Sequence, residues 1–264
     1  MAVETRAVET RAVETHVFRC LSDNVGILVH DPAGGATAAI DVPDAAAVRT
    51  ALAERGWRLT DILVTHGHSD HVQGVAELAR ETGARVVLPR ETPEIVGGET
   101  RVGEGDRVRV GTLEAEVWDA PGHADDHVVY HFAGEKLVLP GDVLFPMGCG
   151  RVFSGDYDTF HRALERLAAL PEDTLAHCGH DYTLANAEFA SRADPDNPAL
   201  ARRLAEARAA KSEGRLFGST TIGEERATNP FLRAGEPALA ASVGQDGAPA
   251  SAVFRALREW KNRG

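Results

Sequence analysis

From His16 to about residue 182, apolar positions fall into short runs separated by turn residues and stretches of helical spacing. The pattern predicts strands over 25–30 and 37–42 on either side of Pro32-Ala33-Gly34-Gly35. A helix follows over 44–55 with Asp44 as its N-cap, then a short buried strand over 62–64, a helix over 72–80 and a strand over 85–88. Further strands are predicted over 107–110, 113–118, 128–132 and 136–139, an amphipathic helix over 159–170 that ends before Pro171, and a strand over 174–176. Beyond residue 182 strand signals stop; 184–192, 198–213 and 252–260 have helical spacing and 235–250 is predicted to be a loop. The expectation is an α/β layer domain over 16–182 and a smaller helical domain over 183–264.

The first fifteen residues stand apart. Ala-Val-Glu-Thr-Arg occurs twice and Ala-Val-Glu-Thr-His follows, a period of five that is too short for a solenoid. Residues 1–15 are therefore expected to be a low-complexity tail. Over the whole chain, 264 residues of which 43% are hydrophobic suffice for one large core. A net charge of −12 argues against non-specific nucleic-acid binding, which needs Lys and Arg against phosphates. Three widely spaced cysteines, Cys20, Cys149 and Cys178, fit a reducing compartment, and without a CxxC pair they make no thiolate zinc site. No secretory apolar region and no run near the ~18 apolar residues of a membrane span is present. The expectation is a soluble, cytoplasmic protein, monomeric, with neither nucleic acid nor membrane as a partner.

The candidate chemistry lies in Thr65-His66-Gly67-His68-Ser69-Asp70-His71, directly after the strand over 62–64. Two residues apart in an extended segment, His66 and His68 project to one side and can share an ion. Asp70 and His71 lie where the next helix begins and can turn toward a second ion. Imidazole and carboxylate without thiolate suit zinc, iron or manganese. His123, Asp142 and His180 each follow a glycine just past the end of a predicted strand, so one sheet edge can gather all of them on loops carried by a rigid scaffold. Lone histidines are usually structural, but this many ligand types packed into one short segment are not.

The Thr-His-x-His-x-Asp-His segment resembles the metallo-β-lactamase superfamily signature, and within that superfamily the chain looks like glyoxalase II, the hydroxyacylglutathione hydrolases. The likeness extends through Cys20-Leu21-Ser22-Asp23-Asn24, Pro121-Gly122-His123, Gly141-Asp142-Val143-Leu144-Phe145, Gly148-Cys149-Gly150 and Cys178-Gly179-His180-Asp181-Tyr182-Thr183. Its most specific parts are Thr221-Ile222-Gly223-Glu224-Glu225 and Asn229-Pro230-Phe231. The resemblance implies an αββα sandwich followed by a small C-terminal helical domain, and two divalent metal ions, zinc before iron or manganese. His66, His68 and His123 would hold the first ion, and Asp70, His71 and His180 the second. Asp142 would bridge them together with a water or hydroxide. Asp70 and Asp142 would be the catalytic carboxylates.

The resemblance also implies a substrate, S-D-lactoylglutathione or another S-2-hydroxyacylglutathione, and with it a place in methylglyoxal detoxification. Arg151, Phe153, Tyr182, Arg258 and Lys261 match substrate-contacting positions, Arg258 and Lys261 being the basic pair for the glycine carboxylate end of glutathione. Several residues depart from the family pattern: Phe153 stands where tyrosine is frequent, Gly67 where histidine is common, Val25-Gly26 where an aromatic is typical, and Asp125-Asp126 where small and glycine residues are usual. His127 is expected beside the ligands and His131 in a structural role; His177 is out of register with His180 and is not assigned as a ligand, and Cys149 and Cys178 are expected as small packing residues. The competing readings are a glutathione-persulfide dioxygenase with one iron, a β-lactam or lactone hydrolase, and a metal- or partner-binding module without activity.

Overall fold

The structure, a computed structural model, describes residues 13–264. The first sheet has six strands in chain order: β1 (Glu14–Cys20), β2 (Asn24–Asp31), β3 (Ala36–Ile40), β4 (Asp61–Leu63), β5 (Arg85–Pro89) and β6 (Thr100–Val102). The pairings β1–β2 and β2–β3 are antiparallel, and those from β3 to β6 are parallel. Parallel neighbours need crossovers: α1 (Ala45–Arg55) links β3 to β4, α2 (Ser69–Val72) and α3 (Val75–Thr82) link β4 to β5, and the irregular segment 90–99 links β5 to β6. The Asp44 carboxylate accepts from the backbone N–H of Ala46 at 2.8 Å and of Ala47 at 3.3 Å, the N-cap predicted for α1.

The second sheet contains β7 (Arg107–Val110), β8 (Leu113–Asp119), β9 (Val128–Phe132), β10 (Leu137–Gly141), β13 (Leu175–Cys178) and β14 (Ser219–Thr221), in the order β14-β13-β10-β9-β8-β7. Between β10 and β13 come a small hairpin, β11 (Leu144–Phe145) with β12 (Gly148–Cys149), and α4 (Tyr157–Ala168). The C-terminal part is α5 (Thr183–Ala193), α6 (Pro198–Ser212), α7 (Ile222–Thr228), α8 (Pro237–Ser242) and α9 (Ala250–Arg263).

Alternation along the strands sets the layering. Val25, Ile27 and Val29 of β2 meet Val108, Val110, Leu113, Ala115 and Val117 of β7 and β8 in an apolar layer between the two sheets. On the outer side of the first sheet, Leu28, Ala39 and Ile62 pack on α1 and α3 through Val48, Leu52, Val75 and Leu78. Outside the second sheet, Trp118, Val129, Val138 and Ala176 pack on Phe160, Leu164 and Phe254 from the helices and on Phe231 from the turn after α7. The result is the expected αββα sandwich.

The structure revises several expectations. Residues 1–12, most of the pentapeptide repeat, lie outside the described residues, but β1 starts at Glu14, before the boundary read from the repeat. Thr15 is held there by a hydrogen bond between its hydroxyl and His177 Nε2 at 3.0 Å. The C-terminal part is not purely helical, since β14 adds an edge strand to the second sheet beside β13. Within the stretch 235–250, expected to be a loop, α8 forms with Pro237 in its first turn and Leu239 fully buried.

A buried polar cluster ties the helices to the sandwich. Arg203 of α6 and Glu225 of α7 are both fully buried and pair at 3.2 Å. Glu225 also accepts from Thr220 Oγ1 at 2.6 Å, from Asn229 Nδ2 at 2.9 Å and from the backbone N–H of Met147 at 2.7 Å. Asn229 Nδ2 in turn donates to the carbonyl of Gly148 at 2.8 Å. The hairpin β11–β12 is thus fixed by side chains from the C-terminal helices.

Candidate metal centre

Strand direction gathers the candidate ligands. β8 and β10 both run antiparallel to β9, and β13 runs parallel to β10. The loops after β8, β10 and β13 therefore leave the second sheet at one edge, carrying His123, Asp142 and His180. Across the sandwich the loop after β4 carries Thr65 to His68, and the short α2 carries Asp70 and His71. Backbone hydrogen bonds clamp the two sheets there, Val128 N–H to the Thr65 carbonyl and Val25 N–H to the Gly179 carbonyl, both at 2.8 Å. Gly141 adopts φ +50°, and a side chain at Gly179 would begin 2.4 Å from Asp142 Oδ1, so close backbone approach demands both glycines.

All seven residues expected to hold metal converge, in overlapping groups whose donor atoms lie within 4.8 Å of one another. His68 Nδ1 lies 3.0 Å from His66 Nε2 and 3.1 Å from His123 Nε2. His180 Nε2 lies 3.2 Å from His71 Nε2 and 3.4 Å from Asp70 Oδ2. Asp142 spans the two groups, with Oδ2 at 3.4 Å from both His123 Nε2 and His180 Nε2 and Oδ1 at 3.5 Å from His71 Nε2.

Neighbours of the imidazoles decide which nitrogen faces inward. His123 Nδ1 lies 3.0 Å from the Arg151 carbonyl, which can only accept, so Nδ1 carries the proton. His180 Nδ1 faces Asp23 Oδ1 at 2.9 Å and His71 Nδ1 faces Asp41 Oδ2 at 2.8 Å, with the same consequence. The Thr65 hydroxyl donates to Asp41 Oδ2 at 2.8 Å and so accepts from His66 Nδ1 at 3.0 Å. Four Nε2 atoms thereby face one another and the Asp142 carboxylate, whose buried Oδ1 has no hydrogen-bond partner among the described residues. Without protons or metal ions between them these donors repel, so the arrangement fits cations between the groups.

The electrostatics agree. Burial, followed by the neighbouring imidazoles, holds His66 well below the usual histidine range, and burial lowers His123, so both are neutral. Burial alone would lower His71, but Asp142 and Asp41 outweigh it and hold it at about 9. Burial would raise Asp142, yet His71 and His180 keep its carboxyl far below the ordinary value. Concentrated negative charge at this edge favours positive charge among the imidazoles, whether as protons or as metal ions.

Asp41 and Asp23 were not singled out in the sequence. Asp41 sits just past β3, the same context as the ligands; its Oδ1 accepts the Thr65 N–H at 2.7 Å, which fixes the whole ligand loop. It does so at φ +56°, left-handed backbone that Asp tolerates better than most residues. Asp23 lies within the Cys20–Asn24 segment, where Asn24 Nδ2 also holds Asp70 Oδ2 at 3.1 Å. His127 lies where expected, fully buried, accepting the Asp142 N–H at 3.0 Å and stacked on His66; burial lowers it to about 3, so it remains a neutral acceptor. His177 and His131 lie away from the cluster, against Ser219 and Trp118. The three cysteines are free and buried.

A pocket of about 420 Å³ opens beside the cluster, lined by Asp142 and His123 and by all five expected substrate contacts, Arg151, Phe153, Tyr182, Arg258 and Lys261. Tyr182 stacks on His180 at 4.8 Å between ring centroids, and Phe153 is 62% exposed at the mouth. Arg258 and Lys261 do not occupy a solvated helix face. Arg258 is buried and donates to the Cys149 carbonyl at 2.9 Å and to Asn262 Oδ1 at 3.0 Å. Lys261 reaches Asn186 Oδ1, and burial, together with the charge of Arg258, lowers its pKa to about 7.

Residues 26–180 match the profile of the metallo-beta-lactamase superfamily, and residues 181–264 match that of the hydroxyacylglutathione hydrolase C-terminus. A hydroxyacylglutathione hydrolase of Methylobacterium nodulans is 56% identical over 250 residues, covering 93% of this chain and 97% of that protein. The chain belongs to the hydroxyacylglutathione hydrolase family. Another hydroxyacylglutathione hydrolase, from Methylobacterium sp. (strain 4-46), is 54% identical over 248 residues with the same coverage. Among solved structures, ETHE1 from Myxococcus xanthus superposes with a TM-score of 0.64 at 26% identity, over 96% of this chain and 100% of that one. Family membership accounts for the helices after β13, whose α9 supplies Arg258 and Lys261 to the pocket. Among the described residues no helix is long and apolar enough to cross a membrane.

Proposed function

We propose that the protein hydrolyses S-2-hydroxyacylglutathione thioesters, S-D-lactoylglutathione foremost, to glutathione and the hydroxy acid. The observation that carries this reading is that the seven-donor cluster borders a pocket also lined by Arg258 and Lys261. His66, His68 and His123 would hold one divalent ion, Asp70, His71 and His180 a second, with Asp142 shared. Histidine and carboxylate donors suit zinc, the ion we favour, and also iron or manganese. When bound, such a pair supplies a Lewis acid for the thioester carbonyl and a water acidified toward neutral pH.

The chain's own residues do the rest. Arg258 and Lys261 pair with the carboxylate end of the tripeptide, and Arg151 and the Tyr182 hydroxyl hold its middle. Their grip brings the thioester carbon to the edge where Asp70 and Asp142 lie. Asp70, kept ionised by Asn24 and the adjacent histidines even though burial works against it, has a half-exposed carboxylate. Its Oδ2 can take the proton of the attacking water and pass it to solvent. Water adds to the carbonyl, the C–S bond breaks, and sulfur leaves as a thiolate. A thiol pKa of about 8.5 removes the need for a strong general acid, in keeping with a pocket whose lining, among the described residues, has no carboxyl or imidazole outside the cluster.

The sparse, unpaired cysteines support a cytoplasmic protein, and the substrate would place it in methylglyoxal detoxification. The test is steady-state hydrolysis of S-D-lactoylglutathione alongside metal content. Turnover with bound metal is the expected result. No turnover of it, with turnover of a β-lactam or lactone or oxygen uptake with glutathione persulfide, would overturn the substrate assignment.

A further inference from the structure

Phe153 separates two pockets of opposite charge. On one side lies the pocket that carries Arg151, Arg258 and Lys261. On the other, a second pocket of about 320 Å³ is lined by His68 and His123 of the cluster, by Pro93 and Ala124, and by Asp125 and Asp126, with no lysine or arginine. The Phe153 ring stands 5.9 Å from that of His68 and 5.3 Å from that of His123, and His123 and Phe153 line both pockets.

The two acidic residues replace the small ones expected in this family, and one is tied to a second departure. Asp126 Oδ2 accepts the Gly67 N–H at 2.9 Å and the Thr92 hydroxyl at 2.6 Å. A methyl group at Gly67 would lie 2.8 Å from that same oxygen. A side chain at 67 would push the Asp126 carboxylate off the Gly67 N–H, so the two departures are coupled locally. Asp125, exposed, and Asp126, half-buried, both line this pocket, and both also border a smaller cleft that contains Arg90.

A thioester whose glutathione occupies the basic pocket has its carbonyl at the cluster, and its acyl group must continue past Phe153. We propose that the acidic pocket receives the acyl group, and that Asp126 with Asp125 makes the protein discriminate against acyl groups that carry a carboxylate. This rests on the thioesterase reading above and adds its acyl selectivity.

Binding tests the selectivity without turnover. S-butylglutathione and S-(3-carboxypropyl)glutathione are titrated calorimetrically into the full-length protein and into Asp125→Asn/Asp126→Asn. Asparagine keeps an acceptor oxygen for Gly67 and Thr92 while removing the charge. Any contribution of bound metal to the carboxypropyl arm is common to both proteins and cancels. The Kd ratio, carboxypropyl over butyl, is expected to fall about tenfold in the variant, the size for partly screened like charges a few ångströms apart. The kcat/KM ratio of S-succinylglutathione to S-D-lactoylglutathione should rise by a similar factor. Ratios unchanged in a variant with the parental Tm would overturn the proposal. Ala124→Phe gives an independent check: filling the pocket should lower kcat/KM for S-mandeloylglutathione relative to S-acetylglutathione, and an unaltered ratio would put the acyl group elsewhere. If the unsubstituted protein turns over no glutathione thioester, the thioesterase reading falls and takes this one with it. If it turns over S-D-lactoylglutathione but the ratios stay fixed, only the acyl pocket falls.

Discussion

Glu225→Ala is expected to be among the most damaging substitutions outside the metal cluster, although Glu225 belongs to neither the cluster nor the pocket. Its carboxylate and the Arg203 guanidinium are both fully buried, 3.2 Å apart. Removing one partner of a buried pair costs about 3–5 kcal/mol; the part-exposed Glu224 carboxylate, 3.5 Å from Arg203, keeps this case at about 3–4 kcal/mol. The Met147 N–H and Asn229 Nδ2 lose an acceptor as well, adding about 1 kcal/mol. With about 2 °C lost per kcal/mol in a chain of this size, Tm should drop by about 8–10 °C. Because Met147 belongs to the β11–β12 hairpin, which supplies the Cys149 carbonyl to Arg258, KM for the thioester should rise too. Thermal and urea denaturation measure the first effect, steady-state kinetics the second. Arg203→Met/Glu225→Leu removes both charges and should cost much less than the two single changes added together. A loss below about 1 kcal/mol in Glu225→Ala, or strict additivity in the double variant, would refute the argument.

Further outcomes follow from the site. Arg258→Ala should raise KM about tenfold or more with kcat largely kept, since the side chain serves binding; an unchanged KM contradicts its role. Phe153→Tyr restores a hydroxyl at the mouth and should lower KM a few-fold, the worth of one hydrogen bond of about 1 kcal/mol. Asp23→Ala frees His180 Nδ1 and should weaken metal binding about 10- to 100-fold in chelator competition. Glu99 accepts backbone N–H groups of Ile95 and Val96, each at 2.7 Å, and although burial works against ionisation these bonds bring its pKa to about 2. A depressed folded pKa stabilises above the unfolded value near 4.5 and loses that contribution as pH falls toward 2. The Tm difference between the parent and Glu99→Gln should therefore close over that interval, and a constant difference would contradict the assignment.

Much of the fold was legible because its strands alternate and its helices carry local signals such as Asp44 and Pro198. The ligand residues were legible because they cluster in one short segment or follow a glycine at a strand end. The parts that escaped depend on long-range partners. β14 is only three residues long and exists by pairing with β13, and β1 begins inside the repeat because Thr15 meets His177, 162 residues away. Asp23 and Asp41 are ordinary acidic residues in sequence. Their roles arise only when folding brings them against His180 and His71, 157 and 30 residues distant. The departures at Gly67 and Asp126 are 59 residues apart in sequence and meet only in the fold, where the Gly67 N–H donates to the Asp126 carboxylate.

Metal stoichiometry measured together with activity bears most directly on the account. Protein stripped of metal is titrated with zinc, bound ions are counted by native mass spectrometry, and S-D-lactoylglutathione hydrolysis is followed at each point. Two ions per chain, full activity only at the second equivalent, and loss of paired binding in Asp142→Ala are the expected results. Full activity in the stripped protein, or saturation at one ion with Asp142→Ala unaffected, would contradict it.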